Sequence, residues 1–263
     1  GYVGISLDGQ AAVNDEFRRT EGAFEKALTG IRNCVATGQK VGLRFTINKY
    51  NYQELPAIFD LLESESIQRV CFYHLVYSGR GSEMMQDDVT KQQSREFMEL
   101  LIAKVLDFHR RGLKKEILTV DNHADAVYLY LWLKEHMPAK AQEVLQHLQR
   151  NGGNRSGMAF ANVDSLGNVH PDQFTQHHTL GNIRQRKFSE IWQDSTIPLL
   201  QQLRDRKPLL KGRCSQCQWL PVCNGNFRAR AEATGDFWAS DPACYLTDAE
   251  IGLAAIAANE VKA

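Results

Sequence analysis

Strand-like and helix-like segments alternate along the first 150 residues, and this alternation constrains the fold more than any other feature of the sequence. The strand-like segments are short apolar runs at Tyr2–Leu7, Val41–Ile47, Arg69–Val76 and Ile117–Val120. Between them, apolar residues recur with the i, i+3, i+4 spacing of amphipathic helices over about 21–37, 53–65 and 90–111, followed by a helix to about 149. Such alternation is typical of parallel strands joined by right-handed crossovers. The sequence therefore predicts an α/β fold.

Four strand–helix units are too few to close an eightfold barrel, which typically needs roughly 250 residues. The chain also begins at Gly1 and enters an apolar run (Val3, Ile5, Leu7) at once. Chain termini usually lie at the surface rather than inside a core strand. We therefore expect residues 1–150 to be the later part of a partial (β/α) barrel whose early strands precede Gly1.

A second pattern begins at the turn-forming segment Asn151–Asn154. Residues 158–169 contain two short apolar runs around the turn Leu166–Asn168, which predicts a hairpin. Short helices are predicted at Phe188–Gln193 and Pro198–Arg206, and an Ala-rich helix at about 247–259. We expect residues 151–263 to form a separate C-terminal domain.

Charge and hydropathy exclude several classes of function. Lys and Arg number 31, and Asp and Glu also number 31, so the net charge gives no general attraction to nucleic acid or to anionic membranes. The apolar runs are far shorter than the roughly 20 residues of a membrane-spanning helix. No signal peptide pattern is present. The sequence thus predicts a cytoplasmic protein without nucleic-acid or membrane partners.

Four of the six cysteines cluster near the C-terminus with the spacing Cys214-x2-Cys217-x5-Cys223-x20-Cys244. Thiolates are soft ligands, and four of them complete either an iron–sulfur cluster or a zinc site. Zinc sites usually contain two Cys-x2-Cys pairs, which this spacing lacks, but zinc remains open on spacing alone. The isolated Cys34 and Cys71 are interpreted as small buried hydrophobes.

Several N-terminal motifs resemble radical S-adenosylmethionine (SAM) enzymes. The segments Gly4–Gly9, Asn14–Arg18 and Gly22–Phe24 are similar to the fourth strand and following helix of that family. The cysteine segment resembles the C-terminal extension called SPASM or, in its one-cluster form, Twitch. That pattern also has ligands at two positions which are Asp172 and Phe227 here, so the resemblance implies one auxiliary [4Fe-4S] cluster rather than two.

Further motifs narrow the resemblance to the radical SAM proteins of haem d1 biosynthesis. These are residues 162–174, Thr179–Arg184 and Phe188–Trp192, together with Thr119–Asp125. The resemblance implies a SAM-derived radical that attacks propionate side chains of an iron tetrapyrrole, iron didecarboxysirohaem. It also implies a reductant protein such as a ferredoxin or flavodoxin.

Other functions stay open at this point. They are decarboxylation of iron coproporphyrin to form haem b, maturation of a peptide, and a zinc-stabilised binding module. The family binds SAM on a second [4Fe-4S] cluster held by a Cys-x3-Cys-x2-Cys loop, which this sequence lacks. We therefore expect the intact enzyme, and not these 263 residues alone, to cleave SAM.

The resemblance places Ser6, Asp8 and Arg44 next to SAM. Ser6 and Asp8 lie at the end of the first strand, where α/β sheets place ligand groups. Arg44 lies within an apolar strand, and a charge buried there needs a partner, such as the SAM carboxylate or an internal acidic residue. Turn-forming roles for Ser6 and Asp8 are an equal alternative.

His123 and Arg184 are the candidate substrate-binding residues. His123, at a predicted strand end, is the first choice among five histidines for an axial ligand to the substrate iron. Arg184 belongs to a basic stretch that suits a substrate with several carboxylates. For each residue, a structural or solvated role is the alternative. The sequence does not identify a catalytic acid or base.

Overall fold

The computed structural model describes residues 1–253, and these form two compact units. The first unit consists of residues 1–75 and 84–122, and the second contains residues 76–83 and the chain from His123 onward. The domain boundary near residue 150 stays a prediction. Within the described residues, every helix is too short or too polar to cross a membrane.

The first unit is built on a parallel sheet whose four strands follow the order of the sequence. The strands are β1 (Val3–Ser6), β2 (Val41–Ile47), β3 (Arg69–His74) and β4 (Glu116–Val120). The helices are α1 (Ala11–Arg18), α2 (Ala23–Ala36), α3 (Leu55–Ser64) and α4 (Lys91–Arg110). The predicted α/β class is confirmed.

One face of the sheet is buried beneath aromatic and aliphatic side chains. Phe72 of β3 lies at the centre, with its ring centroid 5.8 Å from Phe45, 5.5 Å from Phe59 and 5.3 Å from Phe97. All four side chains are at most 1% exposed. Each fully buried Phe contributes roughly 1.5–3 kcal/mol to folding, so this cluster holds α3 and α4 against the sheet.

The opposite face of the sheet is polar and partly open. Gly4, Ser6 and Arg44 are exposed, and Thr46 and Tyr73 are half-buried. Side chains alternate between the two faces of a strand, so β2 directs its apolar residues to the helical side and Arg44 to the open side. The expectation that Arg44 is a charge buried in a core strand is therefore wrong.

The second unit combines helices with a small antiparallel sheet. Its strands, in the order β5-β6-β7, are β5 (Asn162–Val163), β6 (Asn168–His170) and β7 (Gly181–Asn182), which confirms the predicted hairpin. Its helices are α5 (Ala124–His136), α6 (Pro138–Asn151), α7 (Phe188–Gln193), α8 (Pro198–Arg204), α9 (Leu220–Cys223), α10 (Arg228–Ala233) and α11 (Asp248–Ile251). The hairpin packs on α7 and α8 through Val169, Leu180, Ile191 and Leu200.

The helix predicted to run to about residue 149 is two helices. The chain breaks at Met137, whose φ of −144° and ψ of 59° are not helical. Pro138 follows, and a proline sterically disfavours helical conformation in the residue before it. The predicted helix that ends at Arg206 ends at Arg204 instead.

Helix α1 was not predicted from the hydrophobic pattern. The structure also tests the predictions for Cys71, Cys34 and the C-terminal helix. Cys71 is buried as expected, whereas Cys34 is only half-buried. The Ala-rich helix predicted at about 247–259 is interrupted, because α11 ends at Ile251 and Gly252 has a left-handed φ of +91°; residues 254–259 lie outside the described residues.

Candidate functional site

The four clustered cysteines lie on short turns and one short helix of the second unit. Cys214 lies in a 3-10 turn, Cys223 ends α9, and Cys217 and Cys244 lie in loops. Their thiols are half-buried and form no disulfide. Short irregular segments of this kind let several sulfur atoms point towards one place.

Backbone hydrogen bonds fix the loops that carry these thiols. The N–H of Trp219 donates to Sγ of Cys217 at 3.4 Å. The N–H of Cys214 donates to Oγ of Ser240 at 3.1 Å, and the Ser240 hydroxyl donates to the Lys211 carbonyl at 3.0 Å. Ser240 therefore holds the Cys214 turn beside the segment that leads to Cys244.

Burial raises the pKa values of three of these thiols, those of Cys217, Cys223 and Cys244. Burial raises the pKa of Cys244 to about 11 and that of Cys223 well above its usual value. Repulsion from the other cysteine thiolates adds to both shifts. Bringing together several thiolates is unfavourable unless a positive metal centre offsets their charge. The donor set therefore fits an iron–sulfur cluster or a zinc ion.

The backbone of Cys223 is in unusually close contact with Gly153. A Cβ atom at Gly153 would lie 2.3 Å from both the carbonyl carbon and the carbonyl oxygen of Cys223. The N–H of Asn154 donates to that carbonyl at 3.2 Å. Gly153 also has a φ of +67°, which favours glycine. The Asn151–Asn154 segment thus positions one of the four thiols.

Two buried arginines lie close enough to interact electrostatically with the cysteines. Arg206 and Arg228 are 1% and 2% exposed, and carbonyl and amide oxygens accept most of their hydrogen bonds. Burial lowers the pKa of Arg206 to about 10, while Asp172 and Cys223 raise it. These positive charges favour the thiolate form of the cysteines. The burial of Arg206 was not predicted, because it lies in the basic stretch Arg204–Arg213 and such stretches usually form a solvated surface.

The two positions that carry ligands in the related cysteine pattern have other roles in this chain. The Asp172 carboxylate accepts hydrogen bonds at 2.9 Å from the N–H groups of Phe174 and Thr175 and from the Thr175 hydroxyl. Phe227 is 9% exposed and packs with Val76 and Ala229. Neither is a thiol, which agrees with a single auxiliary cluster.

His123 is held at the N-terminus of α5. Its ring stacks on Phe227 with centroids 5.6 Å apart and planes at 13°. Its N–H donates to Oδ1 of Asn226 at 2.9 Å. Burial, reinforced by the Arg230 charge, lowers the pKa of His123 to about 4. The imidazole is therefore neutral at pH 7, the form that can bind iron, and its role as a ligand stays a prediction.

Arg184 is exposed beyond β7. Its guanidinium donates to the Ser165 carbonyl at 3.2 Å. Arg186 differs, because it pairs with Asp194 at 2.8 Å. Arg184 has no such carboxylate contact among the described residues, so it is available for an anionic group of a ligand.

Of the three predicted SAM-binding residues, Ser6 and Asp8 lie at the carboxyl end of β1, whereas Arg44 is the middle residue of β2. Ser6 and Arg44 are adjacent in register on the open face, and the Arg44 guanidinium lies 5.0 Å from the ring centroid of Tyr73. Asp8 is instead fully buried, and its carboxylate accepts hydrogen bonds from Arg18 and from the N–H of Thr46. Burial raises the pKa of Asp8 despite these bonds. The geometry leaves Ser6 and Arg44 free to contact a ligand, while Asp8 joins β1 to β2 and α1.

Comparison with known families identifies the cysteine segment. Residues 156–218 match the SPASM family, an iron-sulfur cluster-binding domain. The matched range contains the hairpin, α7, α8 and the first two cysteines of the quartet.

Two characterised relatives match nearly the whole chain. Fe-coproporphyrin III synthase of Methanosarcina barkeri is 53% identical over 255 residues, covering 95% of this chain and 64% of the relative. Pre-heme d1 synthase of Dinoroseobacter shibae is 47% identical over 256 residues, covering 96% and 63%. The chain therefore spans less than two thirds of the length of these relatives.

Solved structures share the fold. SuiB of Streptococcus suis superposes with a TM-score of 0.67 at 16% identity, covering 92% of this chain and 54% of SuiB. The structure of anSMEcpe with bound AdoMet and the Cp18Cys peptide gives a TM-score of 0.62 at 14% identity, covering 99% and 69%. At such low identity, the likeness is evidence for the fold alone.

Proposed function

We propose that the chain belongs to the radical SAM family whose members carry a SPASM domain, and that it forms part of an enzyme that modifies an iron tetrapyrrole. The observation that carries this proposal is the near 50% identity, over 95–96% of the chain, to two enzymes named for tetrapyrrole products. The alternative of a zinc-stabilised binding module gives no role to the open polar face of the parallel sheet, on which Ser6 and Arg44 lie.

The four cysteines, Cys214, Cys217, Cys223 and Cys244, hold one auxiliary [4Fe-4S] cluster in this proposal. The mutual repulsion of their thiolates, which a positive metal centre offsets, and the buried Arg206 and Arg228 support it. Both arginines place positive charge near an anionic centre and so favour its more negative, reduced form.

The open sheet face binds SAM in this proposal. A SAM-binding [4Fe-4S] cluster, on a Cys-x3-Cys-x2-Cys loop outside these 263 residues, supplies a deoxyadenosyl radical when loaded. Ser6 offers a hydroxyl for hydrogen bonds, and Arg44 offers a guanidinium suited to the SAM carboxylate. Asp8 supports this site by holding β1 and β2 in register rather than by direct contact.

Substrate binding falls to residues of the second unit. Arg184 binds a tetrapyrrole carboxylate, and His123, neutral at pH 7, binds the substrate iron. An electron donor such as a ferredoxin or flavodoxin supplies reducing equivalents. The specific reaction we propose is removal of propionate side chains from iron didecarboxysirohaem, as in haem d1 formation.

Formation of Fe-coproporphyrin III is the second candidate, because the M. barkeri relative is the more similar of the two at 53% identity. The test is anaerobic turnover by the intact protein with SAM, a strong reductant and iron didecarboxysirohaem, followed by mass spectrometry. Loss of propionates supports the first candidate. A product that co-elutes with Fe-coproporphyrin III replaces it with the second, and an unchanged substrate contradicts both.

A further inference from the structure

Two adjacent histidines and a glutamate of the second unit converge on one point. Nε2 of His177 lies 2.7 Å from Oε2 of Glu232, and Nε2 of His178 lies 2.7 Å from Oε1 of the same carboxylate. One ligand atom from each of the three side chains lies within 4.8 Å of the other two. We propose that His177, His178 and Glu232 form a binding site for a divalent transition-metal cation of the Zn²⁺ type.

The chemistry of the three groups suits such a cation. Imidazole nitrogen and carboxylate oxygen both bind Zn²⁺ at about 2.0–2.2 Å, and two histidines with one carboxylate are a common ligand set. Three protein ligands leave a further position for water or an added ligand. Without metal, each Nε2 carries the proton that it donates to Glu232. Metal binding requires that proton to leave Nε2, for instance to Nδ1 of the same ring.

The loop that carries the histidines is held in place by its own contacts. The N–H of His178 donates to the Thr175 carbonyl at 3.0 Å, and the His178 carbonyl lies 2.9 Å from Nδ1 of His170. The ring of Phe237 packs against the His178 ring edge to face at 5.2 Å. Asp172 fixes the turn that precedes the loop. The His178 imidazole is therefore positioned before any metal arrives, and the hydrogen bond to Glu232 holds His177, which lowers the ordering cost of binding.

The site is also accessible. The His177 side chain is 58% exposed, whereas those of His178 and Glu232 are 30% and 25% exposed. A cation can enter from the His177 side and meet two partly buried ligands. Because Glu232 lies on α10, between Cys223 and Cys244, a bound metal would tie the loop after β6 to the cysteine-bearing segment.

The test counts bound zinc by equilibrium dialysis of the untagged chain and three variants. Any zinc held by the cysteine quartet is the same in all four proteins, so the count does not depend on what the quartet binds. We expect Glu232→Gln and His177→Gln each to bind one zinc fewer per chain than the wild type. His147→Gln is the control, because His147 is an exposed histidine 3.8 Å from Glu143.

Circular dichroism establishes that the variants are folded, and Glu232→Gln retains a side chain of the same shape. Cobalt titration adds a spectroscopic readout, since a nitrogen and oxygen site gives visible absorption without thiolate charge transfer. Equal zinc counts in all four proteins would overturn the proposal and leave Glu232 as a hydrogen-bonding bridge between two imidazoles.

Discussion

At the scale of single residues, the ion pair of Arg230 and Asp241 lies in the interior of the second unit. Both side chains are fully buried, and the guanidinium donates to the carboxylate from Nε at 2.9 Å and from an Nη at 2.8 Å. Asp241 also accepts from the N–H of Phe227 at 3.0 Å. Removing one partner leaves an uncompensated charge in the interior.

We predict that Arg230→Met lowers the free energy of unfolding by about 3–5 kcal/mol. The matched control is Arg186→Met, which breaks the exposed pair with Asp194 and costs less than about 1 kcal/mol. Urea denaturation of both variants measures the difference. Similar unfolding midpoints for the two variants would show that the buried Arg230–Asp241 pair stabilises the fold no more than the exposed Arg186–Asp194 pair.

His123 makes stability depend on pH. Its pKa is lowered from 6.5 to about 4 in the folded chain, so between these values the unfolded chain binds more protons. The stability present above pH 6.5 is therefore lost progressively as the pH falls towards 4, by up to about 3 kcal/mol. We predict that His123→Gln reduces this loss, measured by denaturation from pH 7 to pH 4. An identical pH profile in the variant and the wild type would contradict the burial of this imidazole.

The sequence predicted the roles of residues that are defined by their spacing. It was less reliable for residues whose role depends on which face of the sheet they occupy. The cysteine quartet was identified from spacing and resemblance. Arg44 was misplaced because the apolar letters on both sides of it suggested a strand buried on two faces. Only the register, with Ser6 beside Arg44, places it on the open face. The buried Arg206 and the contact of Gly153 with Cys223 depend on residues far apart in the chain, which no local pattern reveals.

At the scale of elements, hydrophobic periodicity located the four parallel strands and α2, α3 and α4. Hydrophobic periodicity failed for elements that are stabilised by contacts between residues distant in the sequence. Helix α1 is polar and is held by Asn14, whose side chain accepts from the N–H of Asp8 at 2.9 Å. Its Asp15 carboxylate accepts from the N–H groups of Gly22 and Phe24 at 2.6 and 2.7 Å. The break before Pro138 agrees with the preference of a proline against helical conformation in the preceding residue.

The turn after α6 provides the sharpest test of how elements position the cysteines. Gly152 and Gly153 have similar left-handed φ values of +72° and +67°. A Cβ at Gly152 meets only a carbonyl oxygen at 3.8 Å, whereas one at Gly153 overlaps the Cys223 backbone. We predict that Gly153→Ala loses most of the bound iron after reconstitution, while Gly152→Ala retains it.

The two substitutions carry the same backbone strain, roughly 1–2 kcal/mol, so their difference isolates the contact with Cys223. Iron content and the unfolding midpoint of each variant are the measurements. Equal iron in the two variants would show that the Gly153 contact does not position the cysteine.

At the scale of the whole molecule, the chain combines a parallel sheet with an open polar face and a cysteine-bearing unit with its own core. The α/β class followed from the strand–helix alternation. The metal held by the quartet did not follow from spacing, because four thiols suit zinc as well as a cluster. The SPASM match favours the cluster.

The iron and sulfide content of the anaerobically reconstituted chain therefore tests the central claim most directly. One [4Fe-4S] cluster on Cys214, Cys217, Cys223 and Cys244 predicts about four irons and four sulfides per chain. Cys223→Ala should lose most of both, and Cys34→Ala, at a half-buried cysteine outside the quartet, should keep them. Zinc without sulfide in the purified chain, or equal iron in the two variants, would contradict the account.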